Sequence, residues 1–281
     1  MQVGCSLSGR GEVSIEEVRV KSISELVAEV LKIGASLGSE RPLWHRGQSC
    51  SNHRLLASLA RKVENPKALL SLEQRLITRF RQRSLPYWPA GYPQNDWEQL
   101  FAMQHHELPT RLLDWSENLF VALYFASSDG ARDSETHEGV RCYPSMWILD
   151  PVGWNRQAKQ LQEFPDVAIL TTDSDDLKAY APLSNETDLA RRYAQPLAIY
   201  GAYNSARILA QRGSFTVTGN SLSSMEDFAS EHSTSALWKF IVEIPRVQIQ
   251  RDLSTLGFAE SMIFPDLVGV SREIAALEGL S

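Results

Sequence analysis

No apolar stretch approaches the roughly 18 residues that a membrane-spanning helix needs, and the N-terminus lacks the charged-then-apolar order of a secretory signal. Contact with a membrane is therefore not expected. Cysteine is scarce. Cys5, Cys50 and Cys142 are far apart and odd in number. They make neither a metal-ligand spacing nor a disulfide framework, so the expectation is reduced thiols, a cytoplasmic protein and no metal. Positive charge is short as well: 28 Lys and Arg stand against 34 Asp and Glu, a formal net charge of -6. A general duplex-DNA binder would show a basic balance, so any nucleic-acid contact would need a local basic patch. Repeats, linkers and low-complexity tracts are also missing. What remains is ordinary globular composition, 43% hydrophobic and 22% charged over 281 residues, enough to bury a sizeable core.

The order of elements follows from periodicity and punctuation. Residues 1–13 are rich in Gly and Ser and read as a flexible leader. Ser22 with Glu25 three residues on marks a helix start, and Leu26, Val27, Val30, Leu31 and Ile33 keep helical spacing. Pro42 to Gln48 reads as a short strand closing in a turn at Gly47. Pro66 to Ser84 is a helix with one apolar face and a second face carrying Arg75, Arg79, Arg81 and Arg83. A helix over Trp97–His105, capped by Asp96, ends before Leu108-Pro109. A further helix spans Leu119–Ala126, with Ser116 as its cap. Ser127 to Tyr143 reads as an exposed loop. Strands are expected at Ser145–Asp150, Leu197–Tyr200, Ser214–Thr218 and within Leu237–Ile244, and helices at Val247–Leu256 and Ser271–Leu280. The simplest account is one α+β domain over 14–281, with a central, mostly antiparallel sheet flanked by helices and an N-terminal helical portion. Its motif core would run over 41–128 and its late strands over 195–270.

One segment stands apart. Gln104 to Ala126 crowds two histidines, an acid, an arginine, an aspartate, a tryptophan and a serine ahead of an apolar run. Buried polar groups are costly unless paired, so such a segment builds either a site or a polar network that locks a turn. Neighbouring residues on a helix point about 100° apart, so His105 and His106 rarely serve one site. His105 is the better candidate. No further Cys or His has metal spacing around them.

Two strings carry a resemblance. Trp44-His45-Arg46-Gly47-Gln48 and Gln104 to Ser116, the latter containing Pro-Thr-Arg-Leu-Leu-Asp-Trp-Ser, resemble the FRG domain family, named for a Phe-Arg-Gly motif. His45 stands where that family has an aromatic residue, and Glu107 where it usually has Gly. Ala122 to Ala126, Arg207, Gln211 to Thr216 and Ile263 to Leu267 extend the likeness over roughly 41–277. A weaker similarity is to ADP-ribosyltransferase-like folds. There an early Arg-Gly, a Ser/Thr segment before a helix, and a late Glu or Gln beside a glycine turn occur in the same order. This resemblance implies an enzyme that processes NAD or a related nucleotide, by ADP-ribosyl transfer or glycohydrolysis, in a toxin or phage-defence setting. NAD would be the substrate, and a protein or nucleic acid a candidate acceptor.

The resemblance also implies roles. Arg46, His105, Asp114 and Gln211 would be catalytic. Arg46, Gln48, Thr110, Arg111, Trp115 and Tyr124 would bind the nucleotide. In this picture Arg46 and Arg111 fork onto phosphate, Trp115 or Tyr124 stacks on a base, and Asp114 orients Arg46 or a ribose hydroxyl. Gln211 or Glu243 takes the late-strand role. Two other readings stay open. One is a nucleic-acid-binding or phosphodiester-cleaving protein. The other is a non-catalytic binding module in which Arg46 pairs with Asp114 and Arg111 joins a buried network.

Overall fold

The computed structural model describes residues 15, 17–38, 41–88, 93, 95–128, 136–137, 139–158, 161, 169–201, 205–232 and 234–280. The leader expected over 1–13 lies outside the described residues. The N-terminal part holds β1 (Glu17–Val20), α1 (Ile23–Leu37), β2 (Trp44–Gln48), α2 (Pro66–Ser84) and α3 (Asp96–His105). The middle holds β3 (Leu112–Ser116), α4 (Leu119–Ser128), β4 (Thr136–His137), β5 (Val140–Arg141), β6 (Ser145–Leu149), α5 (Pro151–Asn155) and α6 (Glu186–Arg191). Then come β7 (Leu197–Ile199), α7 (Ala206–Ala210), β8 (Gly213–Val217), α8 (Met225–Glu231), β9 (Leu237–Val242), α9 (Arg246–Thr255), α10 (Glu260–Ile263) and α11 (Leu267–Leu277).

Seven strands form one sheet in the order β1-β9-β6-β2-β3-β8-β7. Among the described strands the β1–β9 ladder is parallel and the other ladders of the sheet are antiparallel; an isolated parallel bridge also joins Leu170 to Ile199 of β7. The fold is therefore α+β with a mixed, mostly antiparallel sheet, as the sequence leads one to expect. Its central strands are covered on both faces. In β6, Met146 and Ile148 pack on one side with Leu26 of α1, Leu123 of α4 and Ile249 of α9. Trp147 and Leu149 pack on the other side with Trp44, Trp115 and Trp154. Burial on both faces explains why Ser145 to Leu149 reads as an apolar run rather than an alternating one.

Helix ends obey their caps. Ser22 accepts from the Glu25 amide at 3.1 Å while Glu25 reaches back to the Lys21 amide. Asn65 caps α2, whose bounds are those read from the sequence. The cap of α3 is Asn95 and not Asp96: the Asn95 side chain accepts from the Glu98 amide at 2.9 Å, which puts Asp96 inside the first turn. Asn118, two residues beyond Ser116, accepts from the Phe120 amide at the start of α4, and Ser116 Oγ in turn accepts from the Asn118 amide.

Three further expectations need correction. Gly47 makes no turn; it lies inside β2, beneath α4. A Cβ there would stand 1.8 Å from the Ala122 carbonyl oxygen and 2.7 Å from the Ala126 nitrogen, so only glycine lets the helix lie on the strand. Ala122 and Ala126 are the matching small residues, at 2% and 0% exposure. Second, Cys50 and Cys142 are joined in a disulfide rather than held as thiols. The register of β2 against β6 ends at Gln48 opposite Ser145, and Ser51 donates to the Tyr143 carbonyl just beyond it. Continuing that ladder brings the two cysteines together, although 92 positions separate them in the chain. Third, the stretch expected to be loop from Ser127 to Tyr143 contains the β4–β5 hairpin.

Candidate functional site

A cleft of about 580 Å³ opens where the sheet is least continuous. β2 is paired with β6 along its whole length, and β3 with β8 likewise. Between β2 and β3, however, the register couples only His45 with Ser116. The two strands part beyond that pair, and the C-terminal end of α3, α4, α7 and Phe264 close the remaining walls.

Arg46 bridges the seam. Its Nη1 donates to the Asp114 carbonyl at 2.6 Å and lies 3.9 Å from the Asp114 carboxylate. A guanidinium thus replaces the missing ladder hydrogen bonds. Gln104, near the end of α3, donates from Nε2 to the same carboxylate at 2.7 Å. Thr110 donates to Gln104 Oε1 and accepts from the Leu112 amide. The result is a relay, Thr110 to Gln104 to Asp114, that fixes which way the carboxylate faces. Asp114 keeps 53% of its side-chain surface, yet it stands in a recess crowded by protein. That crowding raises its pKa, against the opposing pull of the Arg46 charge and the Gln104 bond. Burial also lowers the Arg46 pKa, with Asp114 acting in the other direction and the Arg61 charge adding to the fall.

His45 lies on the same wall. Its Nδ1 is 3.1 Å from the Ser116 carbonyl. A carbonyl only accepts, so Nδ1 carries the proton and Nε2 carries the lone pair. Among the described residues Nε2 has no hydrogen-bond partner. Burial pushes the His45 pKa down to about 4, so the ring is neutral at physiological pH.

The far wall is built by the turn after α3. Glu107 adopts a positive φ of 62°, the left-handed conformation that ends helices. The turn that glycine makes in the FRG family is therefore made here by a residue carrying a Cβ. Arg207 lies 3.9 Å from the Glu107 carboxylate, donates to the His105 carbonyl at 3.5 Å, and sits 4.6 Å from the Phe264 ring centre. His105 Nδ1 is 3.3 Å from Ser205 Oγ. Burial, helped by His106 and Arg207, lowers its pKa.

The structure brings Arg46, Gln48, His105, Asp114, Trp115 and Gln211 to the cleft wall and leaves Thr110, Arg111 and Tyr124 off it. Arg111 is the clearest correction. It is fully buried, its Nε 2.7 Å from the equally buried Glu73, and its Nη2 donates to the Tyr180 carbonyl. It is a core residue and no fork for phosphate. Trp115 shows only an edge: it is 3% exposed, and its Nε1 donates to Thr216 Oγ1 at 3.2 Å. Tyr124 packs against Phe125 and Phe264, which line the cleft in its place. Gln48 is engaged at both ends, accepting from Trp147 Nε1 at 2.8 Å and donating to the Arg54 carbonyl. Gln211 donates to the Ile263 carbonyl at 3.3 Å, tying the Phe264 segment to the cleft. Glu243 pairs with Arg19 at 2.5 Å beside the β1–β9 pair and is not part of the cleft wall. The arginine face of α2 contributes nothing to the cleft lining either, and its Arg81 pairs with Asp96.

His45, Gln104 and Arg207 are cleft residues that the sequence reading did not select. His45 was visible as the departure from the Phe-Arg-Gly pattern, and Gln104 as the first residue of the polar string. Among the described residues, no group of three or more His, Cys, Asp or Glu side chains could hold a metal ion. No described helix is long and apolar enough to cross a membrane.

Residues 41–135 match the sequence model of the FRG domain, so the chain carries an FRG domain that contains both motif strings and both sides of the seam. No curated protein and no solved structure matches the chain.

Proposed function

We propose that the cleft binds a nucleotide of the NAD type and that the protein is a nucleotide-processing enzyme, cleaving the glycosidic C–N bond for transfer or hydrolysis. The observation that supports this reading is the Arg46–Asp114–Gln104 arrangement at the split seam. It sets a fixed cation beside an oriented carboxylate in a recess large enough for a nucleotide. Arg46 is anchored through Nη1, and its remaining N–H groups suit phosphate oxygens. As the C–N bond lengthens, positive charge develops on the ribose, and a preoriented carboxylate is the group that stabilises it. The Asp114 carboxylate fills that role, with Gln104 holding it. The Phe125 and Phe264 rings offer apolar surface to a base. Arg46 and Asp114 are the catalytic residues in this reading, and His105 and Gln211 shape the wall. Such chemistry suits a toxin or phage-defence effector.

The test is chromatographic detection of nicotinamide after incubation of the protein with NAD, with and without protein or nucleic-acid acceptors. Release by the native chain, falling about 100-fold or more in a folded Asp114→Asn variant, is the expected result. Release unaffected by that substitution would remove Asp114 from the mechanism.

A further inference from the structure

The charges on the cleft wall do not cancel. Arg46, Arg61 and Arg207 line it, together with Asp114 and Glu107. Arg46 has Asp114 at 3.9 Å, and Arg207 has Glu107 at 3.9 Å. Arg61 lies on the short 3-10 turn Ala60–Lys62 and is exposed. Among the described residues it has no ion-pair partner. The wall is thus positive by one charge, three cations against two carboxylates, in a chain whose net charge is -6. The Arg61 charge reaches Arg46, whose pKa it helps to lower. Two guanidinium groups that repel each other across one recess are stabilised by an anion between them.

We propose that Arg61 and Arg46 together form a subsite for a diphosphate, with Arg61 supplying the cation that no carboxylate among the described residues neutralises. Arg46 is anchored by Asp114 and presents a fixed edge, while Arg61 is free to close on the second phosphate. A diphosphate fits better than a single carboxylate because it carries oxygens for two separate forks. Arg207 is less suited to this role, because Glu107 and the Phe264 ring already hold it. The proposal rests on the nucleotide reading above and deepens it by saying which end of the ligand lies where: diphosphate toward Arg61, base toward Phe125 and Phe264.

The experiment is calorimetric titration of the full chain with inorganic pyrophosphate and, separately, with NAD. Native protein, Arg61→Gln and Arg61→Lys are compared at one fixed ionic strength, after circular dichroism has confirmed that the exposed-site variants fold. Both ligands should bind the native chain. Arg61→Gln should weaken both by about 10-fold or more, and Arg61→Lys should restore part of the loss. If Arg61→Gln binds both ligands as the native chain does, Arg61 is a solvated surface charge; the subsite is then wrong while the nucleotide reading stands. Arg61-dependent binding of pyrophosphate without any binding of NAD would keep the subsite and remove the NAD reading. Binding of neither ligand to the native chain would overturn both.

Discussion

Arg46 and Arg111 come from the two most recognisable strings of the chain, and each faces a carboxylate. One pair is closed in the core and the other lies open at the cleft. Arg111 and Glu73 meet at 2.7 Å with both side chains fully buried. Arg192 lies close enough to feel both charges, and its pKa falls to about 9 through burial and the neighbouring Arg111. Arg46 and Asp114 stand 3.9 Å apart, with half of the carboxylate's surface open. The difference lies in the sheet. Arg111 precedes β3 on the side where β8 continues the ladder, and Thr218 donates to its carbonyl. Arg46 sits on the side where the ladder to β3 fails. A continuous sheet buries its ion pair and commits it to stability; a split sheet leaves its pair able to meet a ligand.

The largest expected effect separates the two pairs by stability. Glu73→Gln strands the Arg111 charge, with Arg192 near it, in the core, and should lower unfolding free energy by roughly 3–5 kcal/mol. Asp114→Asn, at the partly open pair, should cost under about 1 kcal/mol. Denaturant titration of both variants checks the contrast, and equal losses would dissolve it.

A smaller effect comes from the acid limb of stability. His45 titrates near 6.5 when unfolded but is held at about 4 when folded. Between those values the unfolded chain binds the extra proton, so stability falls as pH drops through this window. The loss approaches about 3 kcal/mol at the lower end. His45→Phe should flatten that limb, which thermal unfolding between pH 4 and 7 would reveal. The smallest expected effect lies at the turn behind the far wall. Glu107→Gly relieves a left-handed non-glycine residue and should stabilise by about 1 kcal/mol, read as a rise in melting temperature.

Much of this was legible in the sequence. The α2 bounds and the Ser22 cap follow from spacing and local chemistry, and the structure agrees; the pairing of Arg46 with Asp114, one of the readings the residues left open, is formed across 68 positions of chain. β3 was not legible as a strand. Leu112 and Leu113 are both buried because the strand is covered on both faces, and so is polar Ser116, so five residues with polar groups at Asp114 and Ser116 show no clean inside–outside alternation. The course of Arg111 depends on Glu73, 38 residues earlier on α2, which no local pattern reports. Gly47 was visible, but as a turn residue. That it admits α4 onto β2 needs Ala122 and Ala126 in three dimensions. The disulfide was hidden in the same way, by a register that only the folded ladder supplies.

The most direct measurement is calorimetric binding of NAD to the native chain and to Arg46→Ala, with the fold of the variant verified by its unfolding transition. Saturable binding to the native chain, lost in a folded Arg46→Ala, is the result the split-seam account predicts. Binding that survives the loss of Arg46 would contradict it and move the ligand site away from the seam.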